Sequence, residues 1–402
     1  MELYLPLCVM EALSRLEQAG WQAYAVGGCV RDMLLGHTPN DWDIATNALP
    51  AQTQAVFKGE KIVPTGLRHG TVTVLLQGQP LEITTYRVDG PYSDGRRPNY
   101  VRFTACIEED LARRDFTVNA MAFSPRHGLR DPFGGREDLK GKKLRAVGRP
   151  ELRFQEDALR VLRGIRFSAC LGFSIEAQTA AAMERCAPLL GCISQERIEA
   201  EMMKLCCGRH TSQALEQYGG LLYSLPVWQG MSPRGWYSSI LSRLEPAPAL
   251  RLAALLWEGF GSKGEQVLHG LRCSKRLKEE AAKLLAFMGT PLPASRYEAK
   301  KAMAPLGQTL GGLALQWCAA AAPGGEEALL LCRQVLAENV CLCRSQLAVS
   351  GRELTAAGFP TGKAMGQLLD YLLEAVLREE VPNTPEALLS LAKSCRKNSL
   401  ST

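Results

Sequence analysis

The sequence predicts an α+β protein, with a mixed β-sheet head over residues 1–147 followed by an all-α remainder. Two observations carry this. In the first 147 residues, short runs rich in β-branched and aromatic side chains recur at 21–26, 41–45, 70–76, 81–88 and 101–104, separated by Gly, Pro, Asn and Asp clusters. From about residue 150 the apolar positions change to helical period. Leu159, Leu162, Ile165 and Cys170 open a series of Leu- and Ala-rich helices, with breaks expected near 208–212, 230–235, 260–264, 289–294 and 322–325. No repeat of fixed period and no low-complexity segment interrupts this plan.

Composition agrees with that division. The 402 residues are 46% hydrophobic and 22% charged, which excludes disorder and collagen-like repeats. A single core rarely grows past about 250–300 residues, so the chain should divide into two to four domains. The formal charge of +6 is a mild basic excess that suits a polyanionic partner. The fourteen cysteines form no C-x-x-C ladder of the zinc type and read as reduced thiols of a cytoplasmic protein. Glu2 stands where a signal peptide needs positive charge, which argues against export. The longest apolar runs fall short of the roughly 20 residues that span a bilayer, so no membrane segment is expected.

Residues 21–26 read as a strand, Gly27-Gly28 as its turn and Cys29 onward as a helix, leaving exposed backbone amides where a phosphate can sit. Arg31, one turn in, can offer a fork of donors to the same oxygens, while Asp32 is expected to fix the loop. Asn40-Asp41-Trp42-Asp43 then places two aspartates at i and i+2 of an expected strand, on one face of a sheet. Neighbouring carboxylates repel unless a cation lies between them, so the pair reads as a magnesium clamp, with Trp42 turned into the core.

These motifs carry a family resemblance. Gly27-Gly28-x-x-Arg31-Asp32 followed by Asp41-x-Asp43 resembles the nucleotidyltransferases of the polymerase-β superfamily, specifically the bacterial tRNA CCA-adding enzyme and poly(A) polymerase family of class II. Four further ordered stretches extend the likeness over residues 20–205. They are Arg113-Arg114-Asp115-Phe116-Thr117-x-Asn119-Ala120, Asp131-Pro132-Phe133-Gly134-Gly135, Glu156-Asp157-x-x-Arg160-x-x-Arg163-x-x-Arg166-Phe167 and Ser194-x-Glu196-Arg197. The resemblance implies a catalytic head at 1–147, a base-recognising neck at 148–213, a helical body at 214–290 and a tRNA-binding helical tail at 291–402. It further implies two-metal transfer with Mg2+, CTP and ATP as substrates, and tRNA bound through its 3′ end and acceptor/T-arm region.

On this reading Asp41 and Asp43 hold metal. The superfamily usually adds a third acid from a neighbouring strand, for which Glu82 is the candidate. The resemblance assigns Arg114 and Asp115 to the sugar and phosphates of the incoming nucleotide. At 100° per residue, Asp157, Arg160, Arg163 and Arg166 should share one polar stripe of a single helix, with Leu159, Leu162 and Ile165 facing the core. Cytosine and adenine both present an amine donor beside a ring-nitrogen acceptor, and uracil and guanine the reverse. An accepting Asp157 beside a donating Arg160 would suit C and A without a nucleic-acid template. With U or G, buried groups would be left unpaired, costing about 1–3 kcal/mol each. Arg163 and Arg166 are expected to approach the triphosphate or to support Asp157.

The Gly-, Pro- and charge-rich stretch at 87–99 reads as a mobile surface loop. In this family such a loop accompanies the switch from adding C to adding A, and its full length favours complete CCA addition. Gly134-Gly135 resembles the hinge between head and neck. Gly351, Gly358, Gly362 and Gly366, among Arg352, Lys363 and Arg378, could let the tail approach phosphate, or could simply serve a helix–turn–helix core. The histidines, at 37, 69, 127, 210 and 269, never form His-Asp, so no appended phosphohydrolase is expected. No G-x-S-x-G elbow supports a serine hydrolase. Poly(A) polymerases and enzymes adding only A or only CC share these motifs. A silent RNA-binding protein retaining the fold would have no need to keep two mutually repelling acids.

Overall fold

The computed structural model describes residues 3–63, 66–90, 100–228, 240–321 and 325–399. The chain forms two compact units, Met1–Ser232 and Pro233–Thr402. The expected head and neck fall within the first. Of the stretches singled out from the sequence, 91–99 and the breaks near 230–235 and 322–324 lie outside the described residues.

The first unit is built on a seven-stranded mixed sheet. Its strands are β1 (Ala23–Val26), β2 (Asp43–Thr46), β3 (Lys61–Val63), β4 (Thr71–Leu76), β5 (Gln79–Thr85), β8 (Ala122–Ser124) and β9 (Gly128–Arg130), in the order β3-β4-β5-β2-β1-β8-β9. Alternation in β4, where Val72, Val74 and Leu76 are buried and Thr71, Thr73 and Leu75 half-buried, is the signature of a one-sided strand. Central β1 is buried throughout. Tyr24, Val26, Ala45, Tyr86, Ile107, Leu111, Ala122 and Val147 pack together as one apolar cluster of this unit.

The expected strand at 81–88 is two elements. β5 ends at Thr85, and β6 (Arg87–Asp89) turns away to pair with β7 (Val101–Phe103) in a separate ribbon. β3, β8 and β9, three residues each, are additional to the expected strands. They are too short for period-2 patterning to register.

Register positions the site. β1 runs antiparallel to β2 with Val26 opposite Asp43, and β2 runs parallel to β5 with Asp43 beside Glu82. The turn leaving β1 therefore emerges next to Asp43. Around the sheet lie α1 (Leu7–Gln18), α2 (Gly28–Leu34), α3 (Pro50–Val56), α4 (Ile107–Ala112) and α5 (Gly135–Lys140). At the start of α5, Asp131 accepts from the Gly135 and Arg136 amides at 2.6 and 2.9 Å. A Cβ on Gly135 would stand 2.4 Å from the Thr117 carbonyl oxygen, so close packing already accounts for this glycine.

Across the expected head–neck boundary runs a two-stranded parallel pair, β10 (Lys143–Leu144) with β11 (Ser174–Ile175). Its helices are α6 (Pro150–Glu156), α7 (Leu159–Leu171), α8 (Ala177–Cys186), α9 (Gln195–Cys206) and α10 (Thr211–Tyr218). The single helix expected through 156–166 is interrupted. Asp157 is extended (φ −146°, ψ 100°) and forms a joint between α6 and α7.

The second unit is helical, as its period predicts: α11 (Ile240–Arg243), α12 (Pro248–Phe260), α13 (Gly264–Gly270), α14 (Lys275–Met288), α15 (Arg296–Met303), α16 (Gly307–Ala321), α17 (Glu326–Ala337), α18 (Gly351–Ala356), α19 (Lys363–Leu377) and α20 (Pro385–Ser399). α18 and α19 form a helix–turn–helix, one of the two readings left open, with a capping box between Ser350 and Glu353 at its start. They pack with α20 around Val349, Leu354, Phe359, Leu372, Leu388 and Ala392. Lys300 is almost fully buried and is held by the Glu379 carboxylate at 2.8 Å and the Leu377 carbonyl at 3.2 Å. No helix among the described residues is long and apolar enough to cross a membrane.

Candidate active site

One cavity of about 730 Å3 in the first unit gathers nearly every residue singled out above. Gly27, Gly28, Arg31, Asp41, Asp43, Arg114, Asp115, Asp157, Arg160, Arg163 and Arg166 all line it. Glu82 does not, but it neighbours Asp43 on the next strand.

At one end is the glycine turn. Gly27 has φ +80° and ψ −130°, a conformation open essentially to glycine alone. A Cβ there would meet Arg114 Nη1 at 2.7 Å, so the missing side chain is also what lets Arg114 lie across the turn. Arg114 donates to Asp110 at 3.3 Å, while its buried Nε has no hydrogen-bond partner among the described residues. A buried donor left unmade beside a phosphate-type turn points to a ligand oxygen. Asp110 is fully buried. Burial works against its ionisation, but Arg113 and Arg114 hold the carboxyl below the usual range. Asp32 pairs with Arg31 at 2.8 Å, and Arg31 Nη1 donates to Asn119 at 2.6 Å.

Asp41 lies just before β2 and only Asp43 is within it, so the expected same-strand pair is corrected to a strand-entry pair. Both aspartates still line the same cavity. Burial pushes the Asp43 carboxyl up, Arg114 pulls against that, and Asp41 adds to it. Glu82 is likewise raised, by burial first and then by Asp43 and Asp41. Trp42 is buried as expected. Among the described residues no three His, Cys, Asp or Glu side chains gather into a self-sufficient metal centre. Two hard carboxylates that repel each other do fit Mg2+, which characteristically takes one or two protein carboxylates and completes its shell with water and phosphate oxygen.

The middle of the cavity is a charged network. Asp115 accepts from Arg163 Nε (2.8 Å) and Nη2 (2.7 Å), from Asn119 (3.1 Å) and from the Phe116 amide (2.8 Å), filling its acceptor positions. Burial would raise this carboxyl, yet Arg163 and the hydrogen bonds hold it far below the usual range. Arg31, Arg163 and Arg166 surround the Phe167 ring at 5.4, 5.3 and 3.7 Å from its centroid. Phe116 fixes that ring edge-on at 5.7 Å.

At the far end are Asp157 and Arg160. Asp157 accepts from the Leu159 amide (3.1 Å) and from both terminal nitrogens of Arg197 (3.2 and 2.7 Å). Of roughly four acceptor positions on a carboxylate, one remains. Arg160, expected on the shared polar stripe, is enclosed by protein. It is buried, donating to the Arg153 carbonyl (3.0 Å), Glu156 (2.7 Å) and the Arg113 carbonyl (2.9 Å). Three of its five N–H groups are thereby spoken for.

Sequence reasoning left several cavity residues without a role: Arg113, Asn119, Phe167, Arg197 and Lys204. Glu201, which touches two of the lining arginines, was missed entirely. Arg197, Glu201 and Lys204 fall at i, i+4 and i+7 of α9, a polar stripe that the period could have flagged.

Comparison with known proteins places this geometry in a class. Residues 23–145 match the poly(A) polymerase head domain, 172–228 the probable RNA- and SrmB-binding site of polymerase A, and 252–392 the putative second domain of tRNA nucleotidyltransferases. A CCA-adding enzyme of Geobacillus thermodenitrificans is 37% identical over 384 residues, 94% of each chain. One from Latilactobacillus sakei is 37% identical over 414 residues, covering 95% of this chain and 96% of that one. The crystal structure of Bacillus stearothermophilus CCA-adding enzyme in complex with CTP superposes with a TM-score of 0.83 at 32% identity, over 98% of both chains. The chain belongs to the CCA-adding enzyme family.

Proposed function

We propose that this protein adds C, C and A, from CTP and ATP, to the 3′ end of tRNA without a nucleic-acid template. One observation carries the reading. A single cavity brings together a phosphate-type turn, an acid pair suited to a divalent cation and a carboxylate–guanidinium pair with unused hydrogen-bonding capacity. Those are the three things a nucleotide offers: phosphates, their cation and a base edge.

The division of labour follows from the geometry. The first amides of α2, Arg31 and the unpartnered Nε of Arg114 receive the triphosphate. Asp41 and Asp43 hold Mg2+, with Glu82 as the neighbouring third acid. The bound cation supplies charge neutralisation at the attacking 3′-hydroxyl and at the departing pyrophosphate. Asp115, saturated in this arrangement, acts through Arg163, which it orients with two bonds. Asp157 has one acceptor position left and Arg160 two N–H groups, the complement of an amine beside a ring nitrogen. That complement exists in cytosine and adenine and is reversed in uracil and guanine. The helical second unit, with Gly351, Arg352, Gly362 and Gly366 lining an open depression, is suited to the tRNA acceptor/T-arm. Fourteen cysteines, none of them in a disulfide, accord with a reducing, cytoplasmic setting.

The test is direct. Purified protein with Mg2+ and tRNA lacking its 3′ CCA is given CTP, ATP or both. Two C additions followed by one A are expected. A long A tail would replace the reading with poly(A) synthesis, addition confined to CC or A with a partial transferase, and no incorporation with a silent RNA-binding protein.

A further inference from the structure

Glu201 takes no part in the reading above, yet it is the most enclosed acid on α9. Only 6% of its surface is exposed. Its Oε1 accepts from Arg163 Nη1 at 3.3 Å and its Oε2 from Arg166 Nε at 2.8 Å. One carboxylate is therefore shared by two guanidiniums that follow each other by one turn of α7 and both lie against Phe167. Arg163 continues the chain to Asp115, Asp115 to Asn119, and Asn119 to Arg31.

Two adjacent half-buried cations are costly without an anion. Burial presses the Arg166 guanidinium down from its ordinary value, with Glu201 opposing that and Arg163 adding to it. Glu201 fastens each guanidinium through one nitrogen; Arg163 is held at two more by Asp115, whereas Glu201 is the one carboxylate on Arg166 among the described residues. Among the described residues, Arg163 keeps two N–H groups free of protein partners and Arg166 keeps four. An arginine fixed at one nitrogen presents the rest of its planar fork in a set direction, which a mobile side chain must be ordered to do.

We propose that Glu201 is a positioning residue for nucleotide transfer, holding Arg163 and Arg166 as oriented donors before the nucleotide arrives. The inference rests on the transferase reading. A transition state needs donors aimed at where charge develops, whereas overall attraction of a triphosphate needs only net positive charge. Removing Glu201's charge therefore separates the two. The pocket becomes more positive, so nucleotide binding should not weaken, while aim is lost and turnover falls.

The experiment compares wild type with Glu201→Gln, of the same size but uncharged, in steady-state CTP addition to CC-lacking tRNA, with turnover expressed per folded active site. The expected result is a fall in kcat of tenfold or more, with KM for CTP unchanged or lowered. Unchanged kcat, or a raised KM with kcat intact, would overturn the proposal, as would a loss confined to melting temperature. Should Glu201→Gln not fold, Arg166→Lys carries the same test: it keeps the charge but presents no fixed plane, and the same drop in kcat at constant KM is expected. An inactive wild type would instead remove the transferase reading itself.

Discussion

Replacing Gly27 by alanine probes the glycine turn with the smallest possible change. The backbone there (φ +80°, ψ −130°) is strained for any residue with a Cβ, at a cost of order 1–3 kcal/mol. The new Cβ would also stand 2.7 Å from Arg114 Nη1, well inside contact distance, so Arg114 must move. Its hydrogen bond to Asp110, at 3.3 Å, is too long to resist. At about 2–4 °C per kcal/mol for a unit of this size, melting of the first unit should drop by roughly 2–12 °C. The larger effect is on transfer. A charge-assisted bond to phosphate is worth about 1.5–3 kcal/mol, or roughly ten- to a hundredfold in kcat/KM for CTP. The decisive comparison is a double-mutant cycle with Arg114→Ala. If displacement of Arg114 is the mechanism, Gly27→Ala adds little once Arg114 is gone. Additive losses in kcat/KM, or a Gly27→Ala enzyme that transfers normally, would refute the reasoning.

Other outcomes follow from the same geometry. Asp41→Ala and Asp43→Asn should each abolish incorporation while tRNA still binds in a filter or mobility assay. Asp157→Ala should relax base choice, and Arg197→Met, which strips two of the three hydrogen bonds orienting Asp157, should lower discrimination of CTP over UTP by about tenfold. Competition between labelled CTP and UTP reads this directly. In the second unit, Lys300 and then Arg296 lower the Glu379 carboxyl from 4.5 to about 2. A depressed folded value stabilises at pH above 4.5 and is lost as pH falls toward 2, so the difference in melting temperature between wild type and Glu379→Gln should shrink across that window.

What the sequence disclosed and what it concealed divide along the range of the interactions. The turn at Gly27-Gly28 and the acids at 41 and 43 are local signals, legible because a strand, a turn and a helix start each leave marks within ten residues. Asp157 shows the limit. Its neighbours continue a helical period without Gly or Pro, and nothing nearby announces a break. The partner that pins it, Arg197, lies forty residues on. Arg160 shows the same limit: helical spacing set it beside Asp157, but not the carbonyls of Arg153 and Arg113 that enclose it. Glu201 pairs across 35 and 38 residues, and only tertiary structure discloses such a partnership.

The joint at Asp157 has a consequence for a site that must handle one-ring and two-ring bases in turn. An acceptor on a helix could shift only by dragging the helix along. Set in a single extended residue between α6 and α7, the carboxylate can turn by backbone rotation only if Arg197, which holds it, moves too, while Arg160 stays locked among carbonyls as the fixed jaw of the caliper. A difference in base size would then fall on one hinge of the chain and leave Asp43 on its strand undisturbed.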